Sequence, residues 1–393
     1  MKIKRLSQVG APLNWIDLGW GFRGMIYDQK VAFAKALAEY LTIKNIYLTN
    51  SGLTAFYLIL QALREVSPKK EVILPAYTAP SLILPIIKAG LKPVLSDISA
   101  KDFNIDLSLV PAAVTHDTLA IVMPHMFGLA VAEIEKFKKS RSDIYVIEDC
   151  AQAWGTKINN QPVGNFSDVS FFSFNRGKNL PTYGGGCIAT RSDELAAKIA
   201  VKIAQLSPLG LIPKIATPIK IMAFSLANQP LIYGLGYSLI AKFKDNKLPQ
   251  DFQVGQYSSS QAGIGIALLR KTVEVSQQRL SNALALIEGL KNTQGIMTPE
   301  IYPGTEPAVL RLPIVFKDTA GRDKVEKALE QNKIDTSRLY LKPIQQLFSL
   351  GYGQEEFPVA TGFAEKMLTL PVHPLVAEAD LEKIIKVIRE SIA

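Results

Sequence analysis

The sequence predicts an α/β fold: a large, mostly parallel sheet with helices on both faces, followed by a smaller α+β C-terminal unit. Two observations predict it. From about residue 31, short apolar β-rich runs alternate with helix-length segments, as parallel strands need for their crossovers. Towards the C-terminus this alternation gives way to a long helix and then a strand and two further helices. A chain of 393 residues also exceeds what one core usually fills, so two units are expected, at 1–250 and 251–393.

The elements follow in order. VAFAKALAEYL and LTAFYLILQALREV are amphipathic helices, and EVILPAY is a strand stopped by Pro75. SLILPIIKAG reads as a helix with Pro85 in its first turns and Gly90 at its end. KPVLSDI, TLAIVMPH, DIYVIED, SDVSFFSF and GGCIAT are strands. SSSQAGIGIALLRKTVEVSQQRLSNALALIEGL is expected to be one long helix. PAVLRLPIVF has strand character, and GRDKVEKALEQN and EADLEKIIKVIRES are helices.

Composition bounds the function. Apolar residues make up 48% and charged residues 20%, which excludes a disordered chain. The net charge of +9 suits acidic ligands, but no Lys/Arg block with interleaved aromatics and no zinc-ligand spacing points to nucleic acid or metal. Two cysteines, Cys150 and Cys187, do not make a disulfide scaffold, and MKIKRLSQVGAPLNW lacks the apolar core of a signal peptide, so a cytoplasmic protein is expected. From 195 to 244 there is no acidic residue, while six lysines stand among apolar runs broken by prolines. That segment is expected to form a subunit contact or, alternatively, a peripheral contact with an anionic membrane, rather than a spanning helix.

The chemistry concentrates between residues 146 and 190. Asp149 ends DIYVIED and Lys178 follows SDVSFFSF, and ligands of such sheets bind beyond the carboxyl ends of the strands. An amine and a carboxylate so placed are what a protein needs to hold pyridoxal phosphate. The lysine bonds to the cofactor aldehyde, and the carboxylate keeps the pyridine nitrogen protonated so that the ring draws electrons. NSGLTAF opens a helix whose free N–H groups suit a phosphate, with Gly52 permitting close approach.

EVILPAYTAPSLILPIIKAGLKPVLSDI, MPHMFG, VIEDCAQAWG, SFNRGKNLPTYGGGCIAT, SSSQAGIG and AEKMLTLPVHPLVAEADLEKII, in this order, resemble the sugar aminotransferases of the DegT/DnrJ/EryC1/StrS family, which are fold-type I enzymes. The resemblance implies that Lys178 holds the cofactor and moves protons, that Asp149 lies under the pyridinium nitrogen, that Gln152 lies near the phenolic oxygen and that Ser173 binds the phosphate. It implies glutamate as amino donor, a nucleotide-linked keto sugar as acceptor, and a homodimer. The chain departs from the family pattern in three places. The phosphate loop reads Gly52, Leu53, Thr54; the stacking aromatic is Ala79, leaving Tyr77 as a substitute; and the asparagine sent to the partner's phosphate is Val254. His125, Arg338, Tyr340 and His373 fall where family members approach substrate, though a histidine at a strand end serves packing as readily.

Two relatives of this chemistry remain as alternatives. Dehydratases of the family carry histidine in place of the lysine, and fold-type I decarboxylases carry histidine just before it, where this chain has Gly177. A non-catalytic, membrane-associated homologue is the third alternative.

Overall fold

A computed structural model describes residues 5–10, 13–207, 211–227, 229, 232–234 and 249–392. Seven strands form the main sheet: β1 (Asn45–Thr49), β2 (Glu71–Pro75), β3 (Lys92–Ser96), β4 (Thr118–Pro124), β5 (Tyr145–Asp149), β8 (Val169–Ser173) and β9 (Gly186–Thr190). Between them, β6 (Lys157–Ile158) and β7 (Gln161–Pro162) make a small ribbon. The order across the sheet is β1-β9-β8-β5-β4-β2-β3. The five strands from β8 to β3 run parallel, as expected, whereas β9 lies antiparallel to both β8 and β1.

Burial explains why the central strands read so clearly. Every residue of β2 and β4 is buried, because crossover helices cover both faces. β1 was not anticipated: NIYLT is half-buried at the sheet edge and carries polar residues at both ends. The helix Gly52–Val66 packs across β8 and β9, with Phe56 stacked on Phe171 at 5.1 Å between centroids.

The C-terminal part holds a second sheet, β10 (Ile296–Met297), β12 (Leu312–Phe316) and β13 (Met367–Leu370), all antiparallel, while β11 (Thr305–Glu306) joins the ribbon of β6 and β7. The single long helix expected from residue 258 is in fact two, Ser259–Leu269 and Thr272–Leu290. The first packs on the N-terminal helices Trp15–Ile26 and Lys30–Leu41, and the second on the last helix, Glu378–Ile392. The chain turns at Arg270 and Lys271 to serve both, and the Lys271 amine pairs with buried Asp17 at 2.7 Å.

Of the basic apolar segment 195–244, most of Asp193–Ala204 and the helix Leu211–Ala227 are described, and residues 235–248 lie outside the described residues. Lys198 and Lys202 both pair with Glu65, so two of the six lysines face an acid of the neighbouring helix. Among the described residues no helix is long and apolar enough to cross a membrane.

Candidate active site

Asp149 is the last residue of β5, between β4 and β8. Its carboxylate is buried and accepts one backbone bond, from the Ala151 N–H at 2.8 Å. Burial pushes its pKa up to about 6, against the pull of that N–H and of Lys178 and His125. Lys178 lies in the turn after β8. Gly177, with φ +80°, reverses the chain just before it, a left-handed conformation that glycine adopts without strain. Just after it, the Asn179 side chain donates to the carbonyls of Trp154 (3.0 Å) and Ala308 (2.7 Å), which fixes the loop. Burial pulls the Lys178 amine down to about 8, opposed by Asp149 and reinforced by Arg311. The acid is raised and the base lowered, each by loss of water, and each partly restored by the other.

The second half of the site is the start of the helix Gly52–Val66. Ser51 caps it, its hydroxyl accepting from the Thr54 N–H at 3.1 Å. The Gly52 and Leu53 amides have no partner within the helix, because the first turn never does. A Cβ on Gly52 would stand 3.0 Å from the Ser173 Cβ, so the helix opens directly onto the end of β8. Ser173 is half-buried, and its hydroxyl bonds to no described residue. The amides of the first turn, a hydroxyl and the positive end of a helix form a cradle suited to a phosphate. Thr54 does not join it: its hydroxyl donates to Asn50 (2.6 Å) and is within 3.1 Å of the Gln253 carbonyl.

The remaining sequence candidates divide. Gln152 lies in the turn after β5, where its side-chain oxygen accepts from the Phe127 N–H at 3.2 Å and its nitrogen faces the Met126 sulfur. Phe127 itself holds φ +59°, strained for an aromatic residue, and its carbonyl accepts the Leu310 N–H at 2.8 Å. Tyr77 is fully buried against Tyr340 and edge-on to Phe363, and Tyr340 lies within the field of Asp149 and Arg311. His125 has both ring nitrogens engaged: Nδ1 accepts from Val131 and Nε2 donates to Glu148 at 3.1 Å. Glu148 also accepts from Gly164, Phe166 and Ser167, so the compact group of His125, Glu148 and Cys150 is a satisfied internal latch. His373 is likewise engaged at both nitrogens, with the Ser7 carbonyl and the Leu375 N–H. Arg338 is held by Asp323 and Glu326. Ala79 and Val254 pack against the apolar core.

One group escaped the sequence reading. Arg311, immediately before β12, has its Nε shielded from solvent and makes no hydrogen bond or ion pair with any described residue. It acts electrostatically on Lys178, Tyr77 and Tyr340. A lone arginine inside PAVLRLPIVF was the available signal.

The profile of the DegT/DnrJ/EryC1/StrS aminotransferase family matches residues 16–211 and 255–389. The lipopolysaccharide biosynthesis protein RfbH of Salmonella typhimurium is 31% identical over 335 residues, 82% of this chain and 74% of that one. The UDP-N-acetyl-3-dehydro-alpha-D-glucosamine 3-aminotransferase of Acidithiobacillus ferrooxidans is 27% identical over 98% of this chain and 93% of its own. Among solved structures, a DegT DnrJ EryC1 StrS aminotransferase from Brucella abortus superposes with a TM-score of 0.77 over 96% of both chains at 23% identity, which speaks for the fold.

Proposed function

This chain belongs to the DegT/DnrJ/EryC1/StrS aminotransferase family, and on that premise we propose that it uses pyridoxal phosphate to move an amino group from an amino acid, glutamate, to a nucleotide-linked keto sugar. The observation that carries the reading is the pair of opposed burial effects on Lys178 and Asp149 at the carboxyl ends of parallel strands. The names of relatives support the substrate class, since they include GDP-perosamine synthase from Caulobacter vibrioides and the UDP-sugar aminotransferase above.

The residues fit the cofactor. The Gly52 and Leu53 amides and the Ser173 hydroxyl would hold its phosphate, Asp149 its ring nitrogen, and Lys178 its reactive carbon. When bound, pyridoxal phosphate supplies an electron sink for the bond broken at the substrate's amine-bearing carbon. Asp149 would hold a proton on the ring nitrogen, and its burial would keep that partnership strong because little water screens it. Lys178 moves protons. In the cofactor-free protein, burial lowers the amine to about 8, so it gives up its proton more readily than an ordinary lysine. That ready supply of free base is what proton abstraction needs.

Lys178 also argues against the dehydratase alternative, whose members carry histidine there. The decarboxylase alternative meets a backbone obstacle, because a histidine at Gly177 would have to hold φ +80°. We infer a homodimer as well: Trp15, Ile16, Ile26 and Val31 expose apolar side chains along the N-terminal helices, a surface that fits a subunit contact.

The test is direct. Purified protein reconstituted with pyridoxal phosphate should be yellow, and L-glutamate should convert the bound cofactor to its amine form. A panel of nucleotide keto sugars should then recover the yellow form. Protein that stays colourless after reconstitution overturns the reading.

A further inference from the structure

One pinch in the chain joins the two halves of the site. Phe174 follows Ser173 out of β8; its carbonyl accepts the N–H groups of Thr182 (2.9 Å) and Gly184 (3.2 Å), and its own N–H donates to the Gly185 carbonyl (2.9 Å). Residues 175–181, Lys178 among them, are thus a loop closed at its neck. The same neck touches the phosphate cradle. The Gly185 N–H donates to the Asn50 carbonyl at 2.8 Å, Gly185 bridges to Ser51, and a Cβ on Gly186 would stand 2.7 Å from the Gly52 nitrogen. A shift at the neck therefore changes where the amine stands relative to the cradle.

The neck is held from a distant part of the chain, by Tyr257, two residues before the helix Ser259–Leu269, and by Gln261 in its first turn. Gln261 Nε2 donates to the Thr182 carbonyl at 3.2 Å. Tyr257 is buried, its ring stacked on Phe33 at 5.9 Å and so close to Gly185 that a Cβ there would stand 2.0 Å from it. Its hydroxyl lies 2.7 Å from the Thr182 hydroxyl, which in turn donates to the Gly184 carbonyl at 2.7 Å. A threonine hydroxyl has one hydrogen and a carbonyl only accepts, so Tyr257 is the donor. Tyr257, Thr182 and Gly184 form a directed chain in a dry interior, where each bond strengthens the next.

We propose that Tyr257 is a positioning residue: through Thr182 it sets the distance between the Lys178 amine and the phosphate cradle, so that one ligand is gripped at both ends. This rests on the cofactor reading above and deepens it. A ligand with the aldehyde but no phosphate uses one end only, and the register of the two ends does not matter to it.

The experiment measures binding of pyridoxal phosphate and of pyridoxal to cofactor-free wild type, Tyr257→Phe, Thr182→Val, Thr182→Ser and the pair Tyr257→Phe with Thr182→Val. Removing the one oxygen in Tyr257→Phe should weaken pyridoxal phosphate about 5- to 10-fold, as loss of a hydrogen bond does, and pyridoxal by less than about 2-fold. Thr182→Val should act in the same direction, Thr182→Ser should stay near wild type, and the pair should be no worse than Thr182→Val alone, because the chain is already cut. Should Thr182→Val fail to fold, Tyr257→Phe and Thr182→Ser carry the test. Melting of the cofactor-free proteins supplies a second readout. A merely structural hydroxyl would lower the melting temperature and leave the ratio of the two affinities unchanged, and that result overturns the proposal. So does an equal loss for both ligands, or additive effects of the two substitutions. Wild-type protein that binds neither ligand counts against the cofactor reading itself, a result separable from these.

Discussion

Replacing Asp149 with asparagine should make the cofactor-free protein more stable and the loaded protein less so. The carboxyl's rise from its ordinary 3.8 to about 6 corresponds, at 1.36 kcal/mol per unit, to about 3 kcal/mol of destabilisation by the ionised group at pH 7. The attraction of Lys178 is already contained in that figure, so its loss in the variant is not deducted again. The Ala151 N–H keeps an acceptor, because asparagine retains the oxygen. The sign follows from linkage: between pH 3.8 and 6 the unfolded chain gives up this proton while the folded chain keeps it. Folding therefore weakens as pH rises through that window, and the full cost is present above it. Denaturant unfolding of both proteins, without cofactor, should give curves that coincide near pH 4 and separate by about 3 kcal/mol at pH 7, the variant being the more stable. With saturating pyridoxal phosphate the order should reverse, because binding stabilises only in proportion to affinity. A difference that stays constant with pH, or a variant weaker than wild type without cofactor, refutes the claim that desolvation dominates at Asp149.

Three further outcomes are expected. In cofactor-free protein, an amine reagent should label Lys178 with a midpoint near pH 8, and Lys178→Ala should remove both that site and the yellow colour; labelling with the midpoint of an ordinary lysine speaks against its burial. Glu148→Gln turns an amide NH2 toward groups that themselves donate, and should cost about 2–4 kcal/mol in denaturant unfolding; a neutral result means the latch is dispensable. Gly177→His places a side chain at φ +80° with its Cβ 3.1 Å from Val9, and should cost about 1–2 kcal/mol and loosen cofactor retention in dialysis, without creating decarboxylation.

The central strands were legible because burial on both faces leaves an apolar run with no polar interruption, and Asp149 and Lys178 were legible because each breaks such a run at its end. β1 was not, since an edge strand needs no such run. The turn at Arg270 and Lys271 was hidden because helical periodicity continues through it, and only tertiary packing demands that one helix become two. Thr54 has the right residue type beside the right loop, yet Asn50 and Gln253 claim its hydroxyl, a competition no spacing reveals. Arg311 is the opposite case. Its residue type was plain, but that its guanidinium bonds to no described residue is a matter of tertiary packing, and a missing contact leaves no mark in a string of letters.

Phe127 gives the site a mechanical property. One strained residue bonds Gln152 through its N–H and Leu310 through its carbonyl, so a single peptide bridges the turn after β5 and the approach to β12. Pulling that approach away from the main sheet would first rupture this rivet, and Gln152 and Arg311 would lose their seats together. Partial loosening at this seam should therefore silence the protein before either sheet melts, and heat should end its working life earlier than it ends its fold.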